Sequence, residues 1–389
     1  MEKVVGPLYH EGSVERTVKR ADPSLRFLLA CVLVLLVAHW ANPVLGIASS
    51  PAAEITSVAV PVQPIRWKTL SDPSEERALD SWRGGVGIPL IIIPSAAVHE
   101  IKSLDSLIVV SWNIHMGGGD LDRFIRDLKE GRLTDGSRVQ DFVLLLQEVF
   151  RQGSDVPASV PPGVRTGGCI RCSPPSGERM DIREIARRHN LALYYVPAMR
   201  NGETDGSEAP EDRGSAIVST LTMSSFTAME LPYERQRRLA IGANISGETS
   251  AGAPWTVQFI NVHLENRARW SRFFRSFGRA RLRQVTAVID AFSGATPTVL
   301  GGDFNTWFRG SKESAVRHVD ESFDSPHQHL QHGTVRYGPL LPERMVDYLF
   351  FRLPEGWSAH YQRIDTLYGS DHYPLLGRVQ IGRDEALGQ

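Results

Sequence analysis

Only three cysteines occur in this 389-residue chain, Cys31, Cys169 and Cys172, so the count alone excludes a four-cysteine zinc site. Cys31 lies inside an apolar run, which leaves one CxxC pair. That pair sits in the Gly/Pro-flanked stretch TGGCIRCSPPSG, away from any strand-to-helix turn, so a thioredoxin-like redox role is not expected. A local disulfide or two free thiols is the expectation. Net charge is also lacking. With 43 basic and 44 acidic residues the formal charge is −1, so no whole-molecule field draws in a polyanion or an anionic bilayer, and any preference for an anion has to come from a local site. No internal repeat is present, which removes the solenoid and propeller architectures. What is present is ordinary core-forming material: 42% of the residues are hydrophobic, which excludes disorder throughout.

One apolar run stands out. Residues 27–38 read FLLACVLVLLVA, preceded by Lys19, Arg20 and Arg26 and followed by His39, Trp40 and ANPVLGIASS. Residues 1–48 are therefore expected to be a signal peptide or a signal anchor, with the rest of the chain exported: periplasmic, secreted or membrane-anchored. Extending the run to Ala48 reaches the ~20 residues of a tilted span. Gly46 and Ala48 are small enough for a cleavage site. Residues 49–106 are proline-rich, without sustained helical period, and read as a linker in which IPLIIIP adds an edge strand.

From 107 to 380 the pattern alternates. Buried strands are expected at 107–114, 141–147, 191–196, 214–219, 255–264, 297–302 and 345–351, several of them near-continuous apolar runs as in sheets covered on both faces. Helices are expected at Leu121–Lys129, at Asp181–His189 and between Trp270 and Phe292. The fold class is mixed α/β in a single domain.

Nearly every strand ends on a carboxylate, an amide or an imidazole: Asn113, Glu148, His263, Asp303 with Asn305, Asp347, then Asp371 and His372. Singly, such residues are caps, turn formers or structural histidines. Together they mark the kind of strand-end cleft in which ligands gather. The motifs SWNIH, LQEV, GSAI, NVHLE, GGDFN, VDYLF and GSDHYP follow in an order that resembles the endonuclease/exonuclease/phosphatase superfamily, which includes pancreatic-type deoxyribonuclease, apurinic endonucleases, inositol polyphosphate 5-phosphatases and neutral sphingomyelinases. The resemblance covers about 107–380. It implies a four-layered α/β/β/α sandwich of two facing mixed sheets, with the site at one edge, and a metal-dependent phosphoric ester hydrolase.

The chemistry accounts for the residue types. A phosphoester is anionic and repels a nucleophile, so hydrolysis needs a cation on the phosphoryl oxygens, an oriented water and help for the leaving oxygen. Mg²⁺ takes oxygen ligands and keeps several waters, and Mn²⁺ can replace it. By resemblance, Glu148 is the principal metal ligand, Asn113 is its neighbour holding the carboxylate or a metal-bound water, and Asp371 is a further ligand. Asp303 and Asn305 are two apart, so on an extended chain they leave one face and hold a water between them, Asp303 as base and Asn305 as orienter. Gly301 and Gly302 would let the backbone approach the phosphate. His263 and His372 would donate to phosphoryl oxygens, and the family pattern pairs His372 with Asp347. A non-catalytic phosphate- or membrane-binding module on the same scaffold is the competing class.

The substrate is left open between nucleic acid, phospholipid headgroup and small phosphate. Between Asn266 and Gln284, seven arginines interleave with Trp270, Phe273, Phe274 and Phe277. Such a segment suits a phosphate backbone or an anionic membrane, and equally an amphipathic helix with solvated arginines.

Overall fold

A computed structural model of the chain describes residues 64–68, 73–94, 103–159, 179–201, 209–266, 278–323, 330–336 and 342–382. The apolar run at 27–38 and the Cys169/Cys172 pair lie outside the described residues. Among the described residues no helix is long and apolar enough to cross a membrane.

In chain order the elements are β1 (Arg66–Lys68), α1 (Pro73–Arg83), β2 (Leu90–Ile92), β3 (Ser106–Asn113), α2 (Leu121–Lys129), β4 (Phe142–Gln152), α3 (Ile182–His189), β5 (Ala192–Arg200) and β6 (Glu211–Ser219). There follow β7 (Met223–Glu230), β8 (Leu239–Glu248), β9 (Pro254–His263), α4 (Arg279–Ala291), β10 (Thr298–Asp303), α5 (Ser314–Ser322), β11 (Asp347–Arg352), β12 (Ser358–Arg363) and β13 (Leu375–Gln380). The strands form a six-stranded sheet, β1-β7-β8-β9-β10-β11, and a seven-stranded sheet, β12-β13-β3-β4-β6-β5-β2. Both are mixed: β1/β7, β9/β10 and β3/β4 run parallel and the other pairs antiparallel.

Alternation along β4 shows why the layers stack. Val143 and Leu145 point into the core between the sheets, with Val109, Tyr194, Ile241, Phe259 and Val299. Phe142, Leu144 and Leu146 point the other way, onto Phe124 and Ile125 of α2 and Ile185 of α3. A strand covered on both faces has no polar side, hence the unbroken FVLLL. The outer face of the six-stranded sheet is covered in turn, Ile260, Leu300 and Phe350 meeting Val285 and Val288 of α4 and Val316 and Val319 of α5. Helices, sheet, sheet, helices is the four-layered order expected.

The helices start where local chemistry lets them. Asp120 caps α2 by accepting from the Arg123 amide at 2.9 Å, and Leu121, Phe124, Ile125 and Leu128 make its buried stripe. Asp181 caps α3 through the Arg183 amide at 2.7 Å, and Asn190 ends it in a left-handed conformation.

All seven expected strands and three expected helices form, with shifted ends. The linker reading of 49–106 needs correction. β1 adds to β7 and β2 to β5, so this stretch contributes an edge strand to each sheet, and α1 buries Leu79 and Trp82. β2 is the edge strand expected in IPLIIIP; β1, with three residues, is too short to show a period, and the two buried apolar residues of α1 make a faint helical stripe. Also unread were β7, β8, β12, β13 and α5, several of which carry small or polar residues on one face.

The two sheets are joined near the site by buried amides. Gln147 on β4 donates through Nε2 to Asn261 Oδ1 on β9 at 2.7 Å. Asn261 Nδ2 donates to the carbonyls of Leu146 and Ala216, both at 2.8 Å. Gly301 leaves room for this approach, since a Cβ there would lie 2.9 Å from Leu145 Cδ1 on the facing sheet and 2.8 Å from Leu349 Cδ2. Removing the bridge leaves buried polar groups unpaired, so Asn261→Ala is expected to lower stability by about 1–3 kcal/mol in urea unfolding. A change within error of zero would show that these amides do not hold the sheets.

Candidate active site

Three adjacent strands bring three titratable side chains to one level. In the sheet register His263 at the end of β9 is opposite Asp303 at the end of β10, which is opposite Asp347 at the start of β11. Residues paired across a ladder point the same way, so the two carboxylates face one another directly. Asp303, Asp347 and His372 each bring one donor atom within 4.8 Å of the others.

His372 comes from the other sheet, in the turn before β13. Its Nδ1 is 2.8 Å from Asp347 Oδ2, and its Nε2 is 4.0 Å from Asp303 Oδ2 and 3.9 Å from Asp371 Oδ1. Burial alone would favour the neutral ring, but Asp347, Asp303 and Asp371 together lift its pKa to about 10. The ring is an imidazolium at neutral pH. Within the trio the His372–Asp347 contact is the hydrogen bond, and Asp303 lies just beyond hydrogen-bond reach of Nε2. Asp347 Oδ1 is buried without a hydrogen-bond partner.

Asp303 is almost fully buried. Burial and the facing Asp347 push its carboxyl well above the usual range, while His372 and two hydrogen bonds pull it back. Those bonds come from the Asn305 amide to Oδ1 at 2.8 Å and from Asn113 Nδ2 to Oδ2 at 3.1 Å. The result is an oriented carboxyl of raised basicity.

Other expected partners are arranged differently. Asn113, expected beside Glu148, gives its amide to Asp303 and accepts the His115 backbone N–H at Oδ1, 3.0 Å away. Asn305 is not on an extended chain: it is left-handed at φ 54°. Its side chain donates to the Leu264 carbonyl at 3.0 Å and accepts from Trp307 Nε1 at 2.9 Å, so it anchors the turn, and Asp303 receives its backbone amide. Gly302 serves packing, since a Cβ there would lie 1.9 Å from the Val262 carbonyl of β9.

His263 has an arginine on one ring nitrogen. Arg238 Nη1 lies 2.8 Å from His263 Nε2, and a guanidinium only donates, so that nitrogen accepts and the proton sits on Nδ1. Burial, followed by the charges of Arg238, His372 and Arg213, holds this imidazole well below its ordinary pKa. The 3.5 Å approach of Nε2 to Asp303 Oδ2 is therefore no ion pair.

Glu148 occupies a bulge of β4 against β6 between Leu146 and Val149, with φ 53°. It is half-buried and lines a small cleft with Arg213, Arg238 and His263. Asp371 lies 3.1 Å from His115 Nδ1. Burial opposes ionisation of Asp371, but His115 and His372 hold its carboxyl below the ordinary value. Glu148 also acts on His115 through space, so both carboxylates face the same imidazole at the rim.

Sequence reading missed four supports. Ser370 Oγ donates to the Asn113 carbonyl at 2.7 Å and accepts the His372 amide at 3.1 Å. Thr334 Oγ1 accepts the amides of Val346 and Asp347. Arg213 and Arg238 line the cleft. Ser370 lies inside GSDHYP and Arg213 beside GSAI, so proximity to a motif was a usable signal; Thr334 and Arg238 had none. Of the arginine-rich segment, residues 267–277 lie outside the described residues, whereas Arg281 and Arg283 on α4 pair with Glu313 and with Glu75 and Glu234.

Comparison with known proteins bears on this geometry. An endonuclease/exonuclease/phosphatase protein from Beutenbergia cavernae is 17% identical over 72% of this chain and 72% of that one, with a TM-score of 0.46. The human Nocturnin catalytic domain with bound sulfate is 16% identical over 72% of this chain and 96% of that one, TM-score 0.44. Beta toxin from Staphylococcus aureus is 14% identical over 70% and 99%, TM-score 0.39. No curated protein gives a significant match. The sequence profile of the Endonuclease/Exonuclease/phosphatase family matches residues 110–372, from within β3 to His372, and so spans every strand end that carries the site. On that match, which covers well over half of its length, the chain belongs to the endonuclease/exonuclease/phosphatase family.

Proposed function

We propose that this protein hydrolyses a phosphoester with a divalent cation, Mg²⁺ or Mn²⁺, by activating a water at Asp303. The carrying observation is the buried Asp303 carboxyl, fixed by Asn113 and the Asn305 amide and facing the Asp347-paired His372. A carboxyl of raised pKa is the better proton acceptor. Asp303 takes the water's proton, and His372, held charged by Asp347, presents Nε2–H to a phosphoryl oxygen. Asn305 keeps the turn after β10 in place.

The donors fit a hard cation. Glu148 and Asp371 are oxygen donors at the rim facing one imidazole, and Asp347 has a buried oxygen without a partner. Glu148 is the residue we assign to hold the ion, with Asp371 beside it and Asn113 orienting the base. When bound, the cation supplies charge neutralisation on the phosphoryl group. Nucleic acid, phospholipid headgroup and small phosphate all present that group.

We assign residues 107–380, extended by the strands and helix before them, as the catalytic domain, and residues 1–48 as the export or anchor segment that places it outside the cytoplasm. The run at 27–38 and its basic flank support this reading.

A substrate panel of a DNA, a phospholipid and a phosphomonoester, run with Mg²⁺ and then with chelator, is expected to give turnover only with metal. Glu148→Ala should abolish it, and Asp303→Asn should lower kcat by roughly 10²–10⁴ with little change in KM. Full activity in excess chelator would sink the metal assignment, and an unchanged rate in Asp303→Asn would move the base elsewhere. In chelated protein, histidine NMR is expected to find the His372 ring still charged at pH 8, and Asp347→Asn to lower its pKa by roughly 1–3 units. A ring titrating near its ordinary value in the wild type contradicts the pairing. A reporter fused after Gln389 is expected to work only outside the cytoplasm; activity confined to the cytoplasm would overturn the export assignment.

A further inference from the structure

Buried arginines in this protein are matched to carboxylates almost as a rule. Arg151 pairs with Asp212, Arg179 with Glu211, Arg237 with Glu230, Arg281 with Glu313 and Arg363 with Glu343. Arg352, held by the Phe292 carbonyl and Thr298 Oγ1, departs from it, and so do Arg213 and Arg238, which line one cleft. Arg238, 3% exposed, donates to His263 Nε2 and to Gln236 Oε1 at 2.7 Å, and its Nε has no partner. Arg213 is half-buried. Its guanidinium meets Met116 Sδ at 2.8 Å, Asn201 Oδ1 at 2.8 Å and Met199 Sδ at 3.2 Å. Among the described residues every partner of both guanidiniums is neutral.

Such an arrangement is costly. Each cation loses water, each repels the other, and thioether and amide contacts return little of the difference. Glu148 and Asp303 act on Arg238 only through space, and Glu265 is engaged with the amides of Arg235 and Gln236. The pair is therefore built for an anion that the chain does not supply. The space between them is small. Arg213, Arg238, His263, Glu148 and Ser215 surround a cavity of about 10 Å³, about the size that admits a single water-sized atom. A whole phosphate does not enter, but one of its oxygens does. The position suits the chemistry, because His263 Nε2 lies 2.8 Å from Arg238 Nη1 and 3.5 Å from Asp303 Oδ2.

We propose that Arg213 and Arg238 form an oxyanion hole that takes one non-bridging phosphoryl oxygen of the substrate, an inference that rests on the phosphoesterase reading above. Guanidiniums suit this role because they stay charged and offer several donors in a fixed plane. With one oxygen seated there, His263 is pinned between the hole and the base, and the phosphorus is presented towards Asp303.

The test uses the full chain in chelator with inorganic phosphate as the probe, read by calorimetric titration. Wild-type protein is expected to bind phosphate, Arg213→Gln to bind it at least roughly tenfold more weakly, and Arg187→Gln, an exposed arginine of α3, to be unchanged. Arg238→Gln should match Arg213→Gln where circular dichroism shows it folded; if it fails to fold, Arg213→Gln decides alone. No phosphate binding by the wild type, or equal binding by Arg213→Gln, overturns the proposal. A second reading uses a phosphorothioate diester with Mg²⁺. Wild type should prefer one diastereomer and Arg213→Gln should lose the preference, whereas retained preference with lower kcat would indicate a structural role and overturn the hole. Arginine-dependent phosphate binding in a protein that cleaves no ester would uphold the hole and refute the hydrolase reading separately.

Discussion

Two carboxylates facing each other across one rung of a sheet, both buried, set the terms for this edge of the molecule. Asp303 and Asp347 cannot both ionise there unaided, because like charges at ladder spacing repel and the interior gives little screening. The chain resolves this with a cation from the opposite sheet. His372 binds one carboxylate directly and faces the other, and the price is that the two sheets must be held in register to within a hydrogen bond. Ser370, Thr334 and the Trp112 indole, which donates to the His372 carbonyl at 2.9 Å, serve that alignment.

The same requirement explains why polar groups run through an otherwise apolar seam. Gln147 and Asn261 sit one layer behind the site with their amide donors matched, although Gln147 Oε1 has no partner, and these donor contacts favour one packing over its near neighbours. Gly301 and Gly302 then act as spacers. Without side chains at these two positions, β10 can lie against β9 and against the facing sheet, which sets where Asp303 projects.

What could be read from sequence divides along a physical line. Strand-end motifs picked out the residues that gather at this edge because their chemical types are unusual at the ends of apolar runs. The partners were another matter, since they depend on backbone conformation and on pairing between distant segments. Nothing local indicates that Asn305 turns left-handed, that Asn113 reaches across to Asp303, or that Arg238 occupies His263 Nε2. Long strands covered on both faces were legible for the same reason as the motifs. Of the three-residue edge strands, β2 was legible from the apolar IPLIIIP, whereas β1 was not, because its place is set by the neighbour it pairs with.

The order of strands also has a kinetic meaning. The seven-stranded sheet is completed by its last strand in sequence, since β13 flanks β3, and Trp112 waits for a carbonyl 260 positions further along the chain. Contacts so remote in sequence form slowly, and a chain emerging from its N-terminus cannot assemble this edge until His372 and β13 have been made. An unfinished chain thus carries Asp303 and Asp347 without the imidazole that reconciles them.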